Sequence, residues 1–252
     1  MDRLEFTKEL AKKAGEYIKE NYHKKKEISY KENKETVTQI DIGSEKIIID
    51  AIKKSFPNEN IWSEEAGSIK KGSDYTWVID PLDGTNNYVF QIPLFSVNIG
   101  LWHDKKPVLG VIYFPITDEL CFAEEGKGAF INGERIKVNK EKMRNSLFLV
   151  DSNINKKKQW QDKLISLMDK SFKMRACGVF SFNSIQIARG NAGLCVDFNK
   201  KPGDFAAPLI IVKEAGGKMT NLLGEELSLK NKEDIIITNG PLHDEVLRCM
   251  KK

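Results

Sequence analysis

Two aspartates stand close together in the run Trp77-Val-Ile-Asp80-Pro81-Leu82-Asp83-Gly84-Thr85. An apolar strand pattern ends on the first carboxylate. Pro81 then fixes the backbone and removes an N–H donor. Two carboxylates held this close repel one another unless a cation lies between them. The ends of strands in α/β proteins are where ligands bind. If a helix begins at Gly84-Thr85, its unpaired N–H groups and its dipole suit an anion. A dication beside an anion hole suits a phosphate ester. The same residues also read as a turn with a capping Asp, since Asp-x-x-Asp by itself is common. The spacing does not fit an EF-hand loop, which needs acidic or amide groups at alternate positions before its Gly.

Other acids stand at comparable places. Glu64-Glu65 follows a short strand pattern at Asn60–Ser63; two solvated loop acids are the ordinary reading. Asp204 follows Lys201-Pro202-Gly203 and opens an apolar helix pattern, which an N-cap Asp explains locally. Asp41 lies just before a second helix pattern and could also be a cap. Each has a sufficient local account; their joint presence in one chain is what points to chemistry.

The elements that must position these residues are readable from periodicity. Residues 4–22 repeat apolar residues at helical spacing, as do 44–56, where Pro57 stops the run. The polar stretch 24–34 reads as a loop or a frayed strand, and Lys24 to Thr38 as a mobile lid for the Asp41 region. Strands are expected at 60–63, 75–80, 97–102, 108–114 and 119–123. Asn132-Gly133 predicts a hairpin between residues 129–130 and 136–138. Further on, strands at 146–151, 173–176, 194–198 and 234–238 alternate with helices at 157–171, 181–189, 204–215 and 242–251. Gly216-Gly217 stops the helix before it. Helices followed by a run of strands predict an α+β lobe over residues 1–142. The alternation that follows predicts an α/β lobe over 143–252.

The chain has 252 residues, 40% hydrophobic and 30% charged, enough to build a core without disulfides or structural metal. The net charge is +4. The densest basic clusters, Lys24-Lys25-Lys26 and Lys156-Lys157-Lys158, read as solvated surface, not a nucleic-acid footprint. No apolar run approaches the ~18 residues of a membrane span, and the N-terminal stretch lacks the apolar core of a secretory signal. A cytoplasmic protein is expected. Cys121, Cys177, Cys195 and Cys249 lie far apart and read as buried free thiols. His243 reads as a helix N-terminal residue, His103 as a turn residue, and His23 as following the first helix.

Ser63-Glu64-Glu65, Asp80-Pro-Leu-Asp83-Gly-Thr85, and Gly203-Asp204-x-Ala-Ala with Lys213-Glu-Ala-Gly-Gly217 resemble the signatures of the inositol monophosphatase family. That family belongs to the Mg²⁺-dependent, lithium-sensitive sugar phosphatases. Supporting blocks, among them Val37-Thr38-x-x-Asp41 and Gly126-x-Gly-Ala-Phe130-x-Asn-Gly133, run in family order from about residue 36 to 240. The resemblance implies a layered αβαβα sandwich of the inositol monophosphatase and fructose-1,6-bisphosphatase type. It implies a homodimer, and a site holding two to three Mg²⁺ ions between the lobes. Glu64, Asp80 and the Leu82 carbonyl resemble the ligands of a first ion; Asp80, Asp83 and Asp204 resemble those of a second. Thr85 with Asp41 resembles the pair that orients and deprotonates the attacking water, with Glu65 in support. Asp83 and the Gly84 and Thr85 amides would meet the phosphate. Asp197 stands where relatives place a Glu that reads a ring hydroxyl.

Gly203 replaces a Trp common among relatives, so the apolar wall beside Asp204 must differ. Phe180 and Phe182, bulky where relatives carry small residues, read as core. The implied activity is Mg²⁺-dependent hydrolysis of a small phosphate monoester, with myo-inositol 1-phosphate foremost. Fructose 1,6-bisphosphate, 3′-phosphoadenosine 5′-phosphate, histidinol phosphate and NADP are alternatives within the same chemistry. A non-catalytic binding protein on the same fold is the alternative outside it. No nucleic-acid or membrane partner is expected.

Overall fold

The computed structural model describes residues 2–24, 28–30, 36–150, 158–230 and 232–251. The chain opens with α1 (Arg3–Glu20), a short ribbon of β1 (Ile28–Tyr30) and β2 (Thr36–Thr38), and α2 (Gln39–Ser55). Then come β3 (Asn60–Ser63), β4 (Gly67–Ile69), β5 (Tyr75–Asp83) and the one-turn α3 (Thr85–Val89). β6 (Ser96–His103), β7 (Lys106–Phe114), β8 (Glu119–Glu124), β9 (Gly128–Ile131) and β10 (Glu134–Ile136) form a meander. The rest alternates: β11 (Leu147–Val150), α4 (Gln161–Lys170), β12 (Lys173–Arg175), α5 (Phe180–Ala188), β13 (Leu194–Lys200) and α6 (Pro202–Glu214). β14 (Lys218–Asn221), β15 (Glu233–Thr238) and α7 (His243–Lys251) close it.

These elements make five layers. An eight-stranded sheet runs in the order β10-β9-β8-β7-β6-β5-β3-β4, and a five-stranded sheet in the order β12-β11-β13-β15-β14. One core joins α1 and α2 to the outer face of the larger sheet through Ala14, Ile18, Ile48, Ile52, Trp77 and Ile99. A second lies between the sheets and is filled by α5 and α6, with Val78 and Ile112 on one side and Cys195 and Ile237 on the other. A third covers the far face of the smaller sheet with α4 and α7 through Leu164, Leu167, Val246 and Met250. The result is the αβαβα sandwich that the motif resemblance implied.

The approach of α6 to the larger sheet depends on a pair of glycines. Gly100 and Gly110 face each other across β6 and β7. A Cβ at Gly110 would lie 2.5 Å from the Ala207 carbonyl, and one at Gly100 would lie 3.1 Å from the Ala207 nitrogen. Side chains there would push the helix, and Asp204 with it, away from the strand ends.

Several element ends differ from the periodicity reading, each for a local reason. α1 stops at Glu20, and Asn21 and Tyr22 form a turn. α2 begins at Gln39 instead of residue 44, because Thr38 and Asp41 form a reciprocal capping box. Asp41 is therefore inside the first turn, not ahead of the helix. α6 likewise begins at Pro202, which puts Asp204 at the third helical position instead of the cap. α4 begins at Gln161 behind a single 3₁₀ turn. β5 continues past Asp80 to Asp83, with its pairing to β6 slipping between those residues. His103 ends β6 instead of lying in a turn. β4 and β14 were not legible, since three or four residues give no usable period. Cys121 and Cys195 are buried as expected, but Cys177 and Cys249 are only partly so. Phe180 is core, and Phe182 packs edge-on against Phe114 at its margin.

Most of the expected lid, together with Lys25, Lys26, Lys156, Lys157 and Asp151, lies outside the described residues. No helix among those described is long and apolar enough to cross a membrane.

Candidate metal centre

The three aspartates meet where β5 ends against the N-terminus of α6. Asp80, Asp83 and Asp204 each offer a carboxylate oxygen, and these lie within 4.8 Å of one another. The local cause is the irregular end of β5. Pro81 cannot donate to the β6 ladder, so regular pairing breaks after Asp80 and resumes at Asp83. Asp80 and Asp83 therefore both turn toward the same point. Asp80 accepts from the Leu82 amide at 3.1 Å. Asp83 accepts from the Ser181 amide at the start of α5 at 2.7 Å. Its carboxylate thus ties the larger sheet to a helix of the central layer. Gly84, in the left-handed region, starts α3. Thr85 Oγ1 lies 3.1 Å from Asp41 Oδ1 and 3.0 Å from the Leu82 carbonyl, two alternative acceptors for its single hydrogen.

A single face of α2 braces the rest. Asp41, Ser44 and Glu45 are buried, at positions that continue the Ile48, Ile49, Ile52 stripe. Asp41 accepts from the Thr38 amide and hydroxyl at 2.8 and 2.6 Å and from Thr85. Ser44 donates to the Pro81 carbonyl at 2.9 Å. Glu45 Oε1 accepts from the Ser63 hydroxyl, the Glu65 amide at 3.0 Å and the Ala66 amide at 2.9 Å. It holds the turn that carries Glu64 and Glu65. Ser44 and Glu45 were absent from the candidate residues drawn from sequence. Their signal was nevertheless present: polar side chains standing on the apolar stripe of an amphipathic helix.

The segment from β13 into α6 supplies both an acid and cations. Asp204 Oδ2 accepts from the Lys201 amide at 2.6 Å. The Lys201 ammonium lies 2.9 Å from Glu64 Oε1, in the turn after β3. Lys200 Nζ pairs with Asp197 Oδ1 at 2.9 Å. Asp197 also accepts from the Phe198 amide at 3.2 Å and is 2% exposed. Its carboxylate is thus engaged by a lysine within its own segment. Gly203 sits against Trp62: a Cβ there would fall 2.9 Å from the indole and 3.0 Å from the Ile79 carbonyl. Trp62, from β3, fills the space that the missing side chain leaves. Ser181, Lys201 and Trp62 gave no sequence signal, because each acts on a residue remote in the chain.

Burial sets the electrostatics. It pushes Asp80 well above the ordinary carboxylate range, and repulsion from Glu64, Asp83 and Asp204 adds to it. Asp204 rises to about 7, chiefly through burial; the nearby Lys200 charge works against the rise, and Glu64 and Asp83 add to it. Asp41 rises to about 6 through burial, outweighing its bonds from Thr38 and Thr85, while Glu65 contributes repulsion. A set of hard oxygen donors with surplus negative charge fits a hard dication such as Mg²⁺. Asp80, Asp83 and Asp204 could hold it, with Glu64 and the Leu82 carbonyl alongside.

The profile of the inositol monophosphatase family matches residues 2–251. A Thermotoga maritima protein named fructose-1,6-bisphosphatase/inositol-1-monophosphatase is 37% identical over 254 residues, covering 100% of this chain and 97% of its own. The crystal structure of the extragenic suppressor protein SuhB from Bartonella henselae superimposes with a TM-score of 0.94 at 30% identity, covering 100% and 99% of the two chains. A Thermotoga maritima IMPase structure superimposes with a TM-score of 0.91 at 35% identity, covering 100% and 97%.

Proposed function

The chain belongs to the inositol monophosphatase family of phosphatases, and from that premise we propose Mg²⁺-dependent hydrolysis of a small phosphate monoester. Myo-inositol 1-phosphate is the foremost substrate. Fructose 1,6-bisphosphate follows, since the Thermotoga relative carries both activities in its name. The observation that carries the reading is the convergence of Asp80, Asp83 and Asp204 within 4.8 Å at the end of a buried strand.

Phosphate monoesters hydrolyse extremely slowly unaided. A bound dication would neutralise phosphoryl charge and acidify a coordinated water. The protein's own part is positional. Asp80, Asp83, Asp204 and Glu64 supply the oxygens that hold the cation. The Gly84 and Thr85 amides, at the head of α3, would face the phosphoryl oxygens. Thr85 can give its hydroxyl hydrogen to Asp41 Oδ1, at 3.1 Å, and turn a lone pair toward the attacking water. Asp41, with its raised pKa of about 6, is ionised at pH 7.5 and so able to accept that hydrogen bond. Glu65 adds negative charge beside this pair. No side chain forms a bond to phosphorus in this scheme.

We further propose a cytoplasmic homodimer of two-lobed subunits divided at residues 142–143, without nucleic-acid or membrane partners; sedimentation tests the assembly. Phosphate release from the monoesters named above, with Mg²⁺ and with EDTA, tests the activity. Metal-dependent release strongest for one compound supports the reading and names the substrate. Silence across the panel, in folded protein that binds Mg²⁺, would favour a non-catalytic role.

A further inference from the structure

Lys201 touches both halves of the acid cluster with different atoms. Its backbone amide donates to Asp204 Oδ2 at 2.6 Å, which helps fix the first turn of α6. Its ammonium reaches Glu64 Oε1, 137 positions away in the chain, at 2.9 Å. The two lysine and glutamate side chains are 19% and 21% exposed, so the pair is well shielded from solvent. Lys201 is also placed close to the strand end. Gly203, two residues on, lies so near Trp62, Ile79 and Asp80 that no Cβ fits without movement. The loop is therefore pressed onto the acids, with the lysine at its edge.

We propose that Lys201 is a tethered counter-ion of the metal centre. It holds Glu64 when no metal is bound and must release it when a dication takes that carboxylate. The physical need is plain. Asp80, Asp83 and Asp204 crowd their oxygens within 4.8 Å, and Glu64 adds its charge to theirs. Four acids without a cation would repel one another and weaken the contact between the lobes. One ammonium, covalently attached and always present, relieves part of that repulsion. The same ammonium then competes with Mg²⁺ for Glu64 and lowers the apparent metal affinity. Lys200, one residue away, carries the same charge and also acts on Asp204, but its ammonium pairs with Asp197 and not with Glu64.

The inference rests on the proposed metal site, and its test separates the two. Mg²⁺ is titrated into the full, substrate-free protein by calorimetry at pH 7.5, and melting is followed in EDTA. Lys201→Gln is expected to bind Mg²⁺ about five- to tenfold more tightly than wild type. In EDTA it is expected to melt about 2 °C lower, because the acids lose their counter-ion. Lys200→Gln, the same loss of charge with the Lys201–Glu64 pair left in place, is expected to tighten Mg²⁺ binding less than Lys201→Gln does. Lys201→Arg, whose guanidinium can grip Glu64 bidentately, is expected to bind Mg²⁺ no more tightly than wild type. Unchanged or weaker Mg²⁺ binding in Lys201→Gln overturns the inference, as does an undiminished melting temperature in EDTA. Equal tightening in Lys200→Gln also overturns it, by showing a general field effect. If Lys201→Gln does not fold, tighter binding by Lys201→Arg overturns it independently. Absence of Mg²⁺ binding by the wild type removes the metal site and this inference together. Wild-type binding with no change in the variants removes this inference alone.

Discussion

Two buried polar clusters in this protein solve the problem of burial in opposite ways. Where β5 ends against α6, Asp80, Asp83 and Asp204 bring like charges together. At the start of α7, His243 is 1% exposed between two threonines, with Thr220 Oγ1 3.0 Å from Nε2 and Thr238 Oγ1 3.1 Å from Nδ1. Thr220 gives its hydroxyl hydrogen to the Asn221 carbonyl, and Thr238 accepts from the Gly240 amide. Those bonds select a neutral ring that donates from Nε2 to Thr220 and accepts at Nδ1 from Thr238. Burial moves both clusters toward neutrality: it raises the carboxylates and lowers His243 to about 4. The histidine cluster is complete as it stands, whereas the acid cluster carries a charge surplus that only a cation balances. A satisfied polar cluster holds a fold together; an overcharged one is built to bind.

Removing one acid tests that contrast most strongly. Asp83→Asn is expected to lower phosphate release by roughly 10³-fold or more while keeping the fold, since its amide oxygen can still accept from Ser181. It should also melt at a higher temperature than wild type in EDTA at pH 8, because one of the repelling charges is gone. Near-wild-type turnover would refute the metal assignment.

Glu45→Ala attacks the bracing instead of the charge. It strands the Ser63 hydroxyl and the Glu65 and Ala66 amides, so Glu64 loses its fixed position. Mg²⁺ affinity by calorimetry is expected to fall about 10- to 100-fold, with Glu45→Gln recovering most of it. Equal losses in both variants would mean that the Glu45 charge matters and not its geometry.

The pH dependence of stability should have opposite signs in the two regions. Asp41 and Asp204 titrate near 6 and 7 in the folded metal-free protein, above the ordinary value of 3.8. Between about pH 4 and 7 the native state therefore holds more protons than the unfolded chain, and stability from this cluster falls as pH rises. Mg²⁺ bound to the same oxygens is expected to reverse that loss. The rise in melting temperature on adding Mg²⁺ is expected to be larger at pH 8 than at pH 5, where protons compete for the same oxygens. A rise independent of pH would sink the account.

His243 runs the other way and gives the smallest effect. Its native pKa is depressed from 6.5 to about 4, so the unfolded chain binds the extra proton. Its contribution is fully present above pH 6.5 and is lost as pH falls toward 4. His243→Gln should flatten that part of the acid-side loss in urea unfolding and leave Mg²⁺ affinity unchanged. An unaltered pH profile would show that the ring is not held neutral.

Legibility followed locality. The Asn132-Gly133 hairpin was read correctly because a two-residue turn needs left-handed backbone at both positions, and both have it. The clustering of Asp80 with Asp83 was readable for the same reason: one proline and three bonds fix it. The starts of α2 and α6 were misplaced because Asp41 and Asp204 were weighed as caps, when each works from the third helical position. Ser44 and Glu45 could have been found, since they interrupt an apolar stripe. Lys201 could not, because its partner Glu64 lies 137 positions away in the sequence.

Sequence alone therefore determined the chemistry on offer. Its acids, the proline between two of them and the order of the motif blocks identify the family and the oxygen-rich set that a hard cation needs. Only the tertiary structure decided which acids share a centre and which cations compete there. Asp204 reaches Asp80 because Gly100 and Gly110 let α6 settle on the larger sheet, and Glu64 is engaged because the same packing brings Lys201 to it. Local steric and hydrogen-bonding rules act over a few residues and are written in order along the chain. Charge repulsion and counter-ion pairing act through space, so they are settled only when packing brings remote segments together.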